Sequence, residues 1–141
     1  MIELIFVIVI LGILAAVAMP HFLATEEATE DAVVKSFAAT MYRTVGHSFW
    51  SQSILGGDEG SIKNDSDGDN SKFYGRSLDI YVTIPKYFDA STVDFSRCVD
   101  SGVAQPFLRK SSNGRFNLFC RDGNKTTAPM FVADKNSTYT F

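Results

Sequence analysis

Residues 1–20 read MIELIFVIVILGILAAVAMP, and this run carries a single charge, at Glu3. From Leu4 to Met19 every residue is apolar or glycine, and Pro20 closes the run. As a helix, 4–19 extends about 24 Å, a little short of a hydrocarbon core of ~30 Å. Met1, Ile2 and any residues upstream bring it close to the roughly 20 that span a bilayer. A secretory signal peptide would carry Lys or Arg ahead of its apolar core and a small-x-small cleavage site behind it. Here no cation precedes Leu4, and 21–53 reads as further helix. A carboxylate beside so apolar a segment is costly unless it has a partner. An ordinary membrane anchor has no use for Glu3.

Beyond Pro20 the pattern turns amphipathic. Val33, Phe37, Met41, Val45 and Phe49 recur at i+4 with Ala38 and Tyr42 alongside, while Glu26, Glu27, Glu30, Asp31, Lys35 and Arg43 fall mainly elsewhere. The spacing predicts a helix to about Ile54, stopped at Gly56-Gly57. At 1.5 Å per residue its length is about 80 Å. Only the second half has the stripe that covers a globular domain. The first half is apolar all round, and such a helix is buried in lipid or in other copies of itself. That contrast is the main sequence argument for a filament.

The polar, glycine-punctuated stretch 56–71 (GGDEGSIKNDSDGDNS) reads as a loop. Leu78, Ile80, Val82 and Ile84 alternate with Asp79, Tyr81 and Thr83, which predicts a half-buried strand ended by Pro85. Strands over 107–110 and 115–120 flank Asn113-Gly114, a favoured hairpin pair, and a turn at Asp122-Gly123-Asn124 leads to a last strand over 130–133. The expected fold class is α+β: a long N-terminal helix with an antiparallel meander of about four strands on its C-terminal half. The expected division is an apolar assembly or membrane helix over 1–24 and a globular domain over 25–141. Within that domain the helix runs to about 55, a loop covers 56–76 and the sheet 77–141.

The 141 residues suffice for one such domain, and a net charge of −3 from 13 basic and 16 acidic residues excludes a global polycation. Cys98 and Cys120 form no CxxC and have no histidine nearby, which argues against zinc. An exported chain would pair them, and a cytosolic one would keep them as thiols.

The stretch IELIFVIVILGILAAVAMP resembles the N-terminal segment of mature type IV pilins and of their relatives, the type II secretion pseudopilins. The acid, the β-branched run, Gly12 and Pro20 carry the resemblance, which covers about the first twenty-five positions. In that family a membrane peptidase removes a short basic leader and the new N-terminal residue is N-methylated. The family's glutamate is the fifth mature residue, so the resemblance implies two residues ahead of Met1. It implies further that the chain is the major subunit of a type IV pilus, without enzymatic activity or cofactor. The alternatives are a pseudopilin, a minor pilin and, in a different class, a monomeric membrane-anchored binding domain. Its implied partners are copies of itself, the prepilin peptidase and the inner-membrane assembly machinery. The chain would lie in the inner membrane before assembly and in an extracellular filament afterwards.

The resemblance assigns Glu3 to pairing with the N-terminal amine of a neighbouring subunit. Gly12 and Pro20 read by themselves as a packing glycine and a kink, and the resemblance implies instead the ends of a stretch that loses helical order in the filament. With export implied, Cys98 and Cys120 are expected to form a disulfide that favours the pilin, although the tail after Cys120 is longer than many such pilins carry. Asp65, Asp67 and Asp69 form either a solvated acidic loop or a weak calcium site, since the D-x-D-x-D-G register of an EF-hand fails. Asn124 (DGNKT) and Asn136 (DKNST) match the N-x-S/T sequon, each with Asp two residues earlier, as some bacterial oligosaccharyltransferases prefer. Asp65 and Asp67 against Arg115 and Arg121 are candidate subunit contacts. Arg109, Lys110 and Lys125 extend the basic set, which is also a candidate nucleic-acid contact without aromatic interleaving.

Overall fold

The computed structural model describes residues 1–63 and 78–141, less the side chains at 21, 23 and 24. The chain divides into two compact units, Met1–Ala32 and Val33–Phe141. Helix α1 (Ile2–Met41) has Glu3 in its first turn and keeps Pro20 inside it. In the first unit its apolar side chains are uncovered. Among the described residues of this unit Ile10, the most covered large one, is still 41% exposed.

In the second unit α1 is followed by a π-helical turn (Tyr42–Gly46) and helix α2 (His47–Gly56). The π turn follows from the i+4 spacing of the apolar positions. Four residues overshoot an α-helical turn by about 40°, so four such steps from Phe37 to Ser53 would carry the stripe ~160° around the helix. One wider turn recovers most of that drift. Phe37, Met41, Val45, Phe49 and Ser53 are accordingly all buried. The stripe begins one residue later than the i+4 reading had it: Val34 is fully buried, while Val33 is 37% exposed. Helix α2 ends where Gly56-Gly57 led one to expect. Gly57 adopts a left-handed conformation, its N–H donating to Ile54 O and the Asp58 N–H to Ser53 O. These two bonds make a Schellman cap.

Among the described residues six short strands follow: β1 (Phe88–Asp89), β2 (Val103–Ala104), β3 (Arg109–Lys110), β4 (Asn117–Arg121), β5 (Met130–Asp134) and β6 (Tyr139–Thr140). They form three antiparallel pairs, β1 with β3, β2 with β6 and β4 with β5, in place of the expected four-stranded meander. The alternating stretch 78–84 is not a strand. It begins as a 3-10 turn (Leu78–Ile80), with the Tyr81 and Val82 N–H groups both donating to Leu78 O. Local hydrogen bonding has displaced a sheet ladder there, and Ile80 faces solvent.

At Asn113-Gly114 the chain does turn, closed by the Gly114 N–H on Ser111 O, but neither residue has a positive φ, so it is not the primed hairpin turn. Gly114 is required for a different reason: a Cβ there would collide with Tyr87 O.

Aromatic rings in succession form the core. Tyr81, Phe49, Phe95, Phe107 and Phe131 follow one another at centroid spacings of 5.1, 5.5, 5.3 and 5.4 Å. Strand β4 is covered on both faces. Leu118 and Cys120 join this core, while Phe119 lies against the Tyr139 ring. A strand buried on both sides needs no polar alternation, which explains the consecutive apolar residues Leu118, Phe119 and Cys120.

Candidate assembly surfaces

The first surface is the apolar helix itself. Its most apolar eighteen-residue window, within Ile2–Gly56, is wholly unburied in the chain and is long and apolar enough to cross a membrane. Glu3 sits at the N-terminal turn, where a carboxylate favours the helix dipole by a few tenths to about 1 kcal/mol. That term is too small to offset an acid placed in hydrocarbon. A Cβ added at Gly12 would meet nothing within 4 Å, so that glycine leaves a small, open spot on the helix surface. Helical structure continues through both Gly12 and Pro20 in the isolated chain.

The second surface surrounds the Cys98–Cys120 disulfide. Backbone bonds brace it on both sides: the Val99 N–H donates to Cys120 O at 3.2 Å, and the Asp122 N–H to Val99 O at 2.9 Å. The tail beyond Cys120 returns to this region. Strand β6 pairs Tyr139 with Ala104 and Thr140 with Val103, and Gly102 and Phe141 exchange backbone bonds. The long tail thus closes the segment between the cysteines.

Next to the disulfide lies a polar cluster that sequence reasoning missed. The buried Asp122 carboxylate accepts the Ile62 N–H and the Gly123 N–H through Oδ1, and the Ser61 hydroxyl through Oδ2. Ser53 on α2 donates its hydroxyl to Ser61 O, and the Trp50 indole N–H donates to Asn124 O at 2.7 Å. The chain leaving α2 is thereby tied to the end of β4. A cleft of about 730 Å³ opens beside it, lined in part by Glu59, Asp100, Asp122 and Lys125. The one signal in the sequence was a serine within a helical apolar stripe at Ser53.

The candidate charge contacts fare unevenly. Asp65, Asp67 and Asp69, and with them the calcium reading, lie outside the described residues. Arg115 and Arg121 are both half-buried, but Arg115 precedes β4 whereas Arg121 ends it. Arg121 edges an apolar groove of about 500 Å³ lined by Ala38, Tyr42, Met130 and Phe131. Lys125 pairs within the chain to Glu59 at 2.7 Å, so acidic loop and basic turn already meet inside one molecule.

Two aspartates cap 3-10 turns. Asp94 accepts the Ser96 N–H and hydroxyl and the Arg97 Nε–H at 2.8 Å. Burial pushes its carboxyl up, but those bonds and the Arg97 charge outweigh burial and hold it below the usual carboxylate range. Asp89 is held down likewise, by the Ser91 hydroxyl and N–H.

Asn124 and Asn136 are both exposed. His47, with Tyr42 and Trp50 as ring neighbours at 5.1 and 6.4 Å, serves surface packing.

These features define an α+β protein with a long apolar N-terminal helix, small antiparallel sheets and one disulfide, an architecture compatible with a pilin-like fold. Comparison with protein-family models, curated proteins and solved structures finds no match to this chain.

Proposed function

We propose that this chain is a structural subunit that polymerises into a bacterial type IV pilus. The observation that carries the reading is the uncovered apolar segment of α1 with its lone acid, continuous in sequence with a helix that is the spine of a disulfide-closed unit. An all-round apolar helix needs lipid or copies of itself, and Glu3 needs a positive partner in either place. Pairing of Glu3 with a neighbour's N-terminal amine supplies that partner during assembly. The flank 21–34 contains no Lys or Arg, which suits translocation of the Val33–Phe141 unit across the inner membrane. In the filament, the stretch between Gly12 and Pro20 is where helix melting would let the polymer extend.

Electron microscopy of sheared surface material tests this reading. Long filaments containing the chain support a major pilin. Short or absent filaments favour the pseudopilin or minor pilin, or a membrane-anchored monomer. As sole subunit, Glu3→Leu should insert in the membrane yet assemble poorly, and normal filament numbers from it would remove the amine-pairing argument.

A further inference from the structure

The geometry points to Asn136 as an N-glycosylation site, and it separates this sequon from the one at Asn124. Asn136 lies in the loop between β5 and β6, followed by exposed Ser137 and Thr138. The backbone of the loop is held: the Asn136 N–H donates to Asp134 Oδ1 at 2.8 Å, and Asn136 O accepts the Asn117 Nδ2–H at 2.9 Å. Among the described residues, neither the Asn136 side-chain amide nor the Thr138 hydroxyl has a hydrogen-bond partner. The acceptor nitrogen and the hydroxyl that the sequon requires are therefore both presented to solvent on a fixed, bent loop. Asp134 at position −2 folds the chain back on itself.

Asn124 presents the same motif in a form the fold withholds. Its Oδ1 accepts the Thr126 N–H, the Thr126 hydroxyl and the Thr127 N–H at 2.9, 3.0 and 2.9 Å. Its carbonyl takes the Trp50 indole N–H. Gly60 approaches so closely that a Cβ there would collide with Asn124 O. Presenting this amide to a transferase would mean opening the turn that ties α2 to the end of β4.

The donor class is an oligosaccharide linked through a diphosphate to a membrane lipid. The Asn136 Nδ2 forms a bond to the anomeric carbon and loses one proton. The bond from that carbon to the diphosphate oxygen breaks, and the lipid diphosphate leaves. No oxidation or reduction is involved. The inference rests on export of the Val33–Phe141 unit and not on polymerisation, and a glycan there would keep the β5–β6 loop clear of neighbouring copies.

The test uses full-length protein purified from the cells that make it, from membranes and from any sheared filaments separately. Trypsin separates Asn124 from Asn136, because Lys125 lies between them. The expected result is a peptide containing Asn136 that is heavier by a glycan, loses sugars on fragmentation and localises them to that residue. The peptide containing Asn124 should be unmodified. Asn136→Gln and Thr138→Ala should each abolish the modification and increase gel mobility. Recovery of the Asn136 peptide only in its bare form, or a glycan persisting in Asn136→Gln, would overturn the assignment. Because membrane material suffices, the outcome is readable whether or not filaments form.

Discussion

The Asp122 carboxylate accepts the backbone N–H of Ile62 at 2.8 Å across 60 residues of sequence. It joins the end of β4, two residues past Cys120, to the chain that has just left α2. Removing the carboxylate leaves up to three donors, on Ser61, Ile62 and Gly123, without this acceptor. Each buried donor left unmade costs about 1–3 kcal/mol. Asp122→Ala should lose roughly 3 kcal/mol, and Asp122→Asn less, because its remaining oxygen still accepts from Ile62. Chemical denaturation of the detergent-solubilised protein measures both.

Gly57 and Gly60 both have positive φ, at 91° and 89°, but their surroundings differ. A Cβ at Gly57 meets nothing within 4 Å, whereas one at Gly60 would lie 2.6 Å from Trp50 Nε1 and strike the Asn124 carbonyl. Gly57→Ala should therefore cost only the left-handed strain, about 1–2 kcal/mol. Gly60→Ala should cost clearly more and displace the indole from Asn124. Trp50 is the chain's single tryptophan, so its fluorescence should shift in Gly60→Ala and stay unchanged in Gly57→Ala.

Reducing the Cys98–Cys120 bridge, or replacing both cysteines with serine, reopens a loop closed at a sequence separation of 22. The loss should be about 3 kcal/mol. The β2–β6 pair should fray first, because Gly102 and Phe141 meet inside that loop's return path. Hydrogen exchange at Gly102 and Phe141 would show the fraying. Intact mass should find the native chain two hydrogens below the dithiol form.

The Asp94 carboxyl is more acidic folded than unfolded, because its bonds from Ser96 and Arg97 outweigh its partial burial. Such a group stabilises the fold above its unfolded value, about 3.9. That contribution is lost as pH falls through the lower folded value. Above pH ~5, Asp94→Asn should be less stable than the native chain, by a few tenths to about 1 kcal/mol given the solvent screening. Toward pH ~2 the two should converge. Melting curves at several pH values would reveal a constant gap if Asp94 were not responsible.

Much of the helical half was legible along the chain. Burial of Phe37, Met41, Val45 and Phe49 and the stop at Gly57 depend on local spacing and on a glycine's access to left-handed φ, and both can be read from neighbours a few residues apart. The π turn was implicit in the same i+4 spacing, but reading it required counting the angular drift. Strand assignment failed at 78–84 because the Tyr81 and Val82 N–H groups bond back to Leu78 O, which leaves Ile80 exposed and turns Tyr81 to the core. It failed in the other direction at β1, β2 and β6, whose two-residue lengths leave no period to detect.

By itself the sequence determined that residues 1–20 form an apolar segment with one acid, at Glu3, and where the amphipathic helix stops. These follow from composition and from contacts within one or two turns of helix. Only the tertiary structure decided that β6 closes the segment between the cysteines, that Asp122 clamps the exit of α2, and that the Asn136 amide has no partner among the described residues while Asn124 is held in a turn. Those relationships join groups up to 74 positions apart, as Trp50 and Asn124 are, and depend on donor and acceptor geometry that residue type alone does not encode.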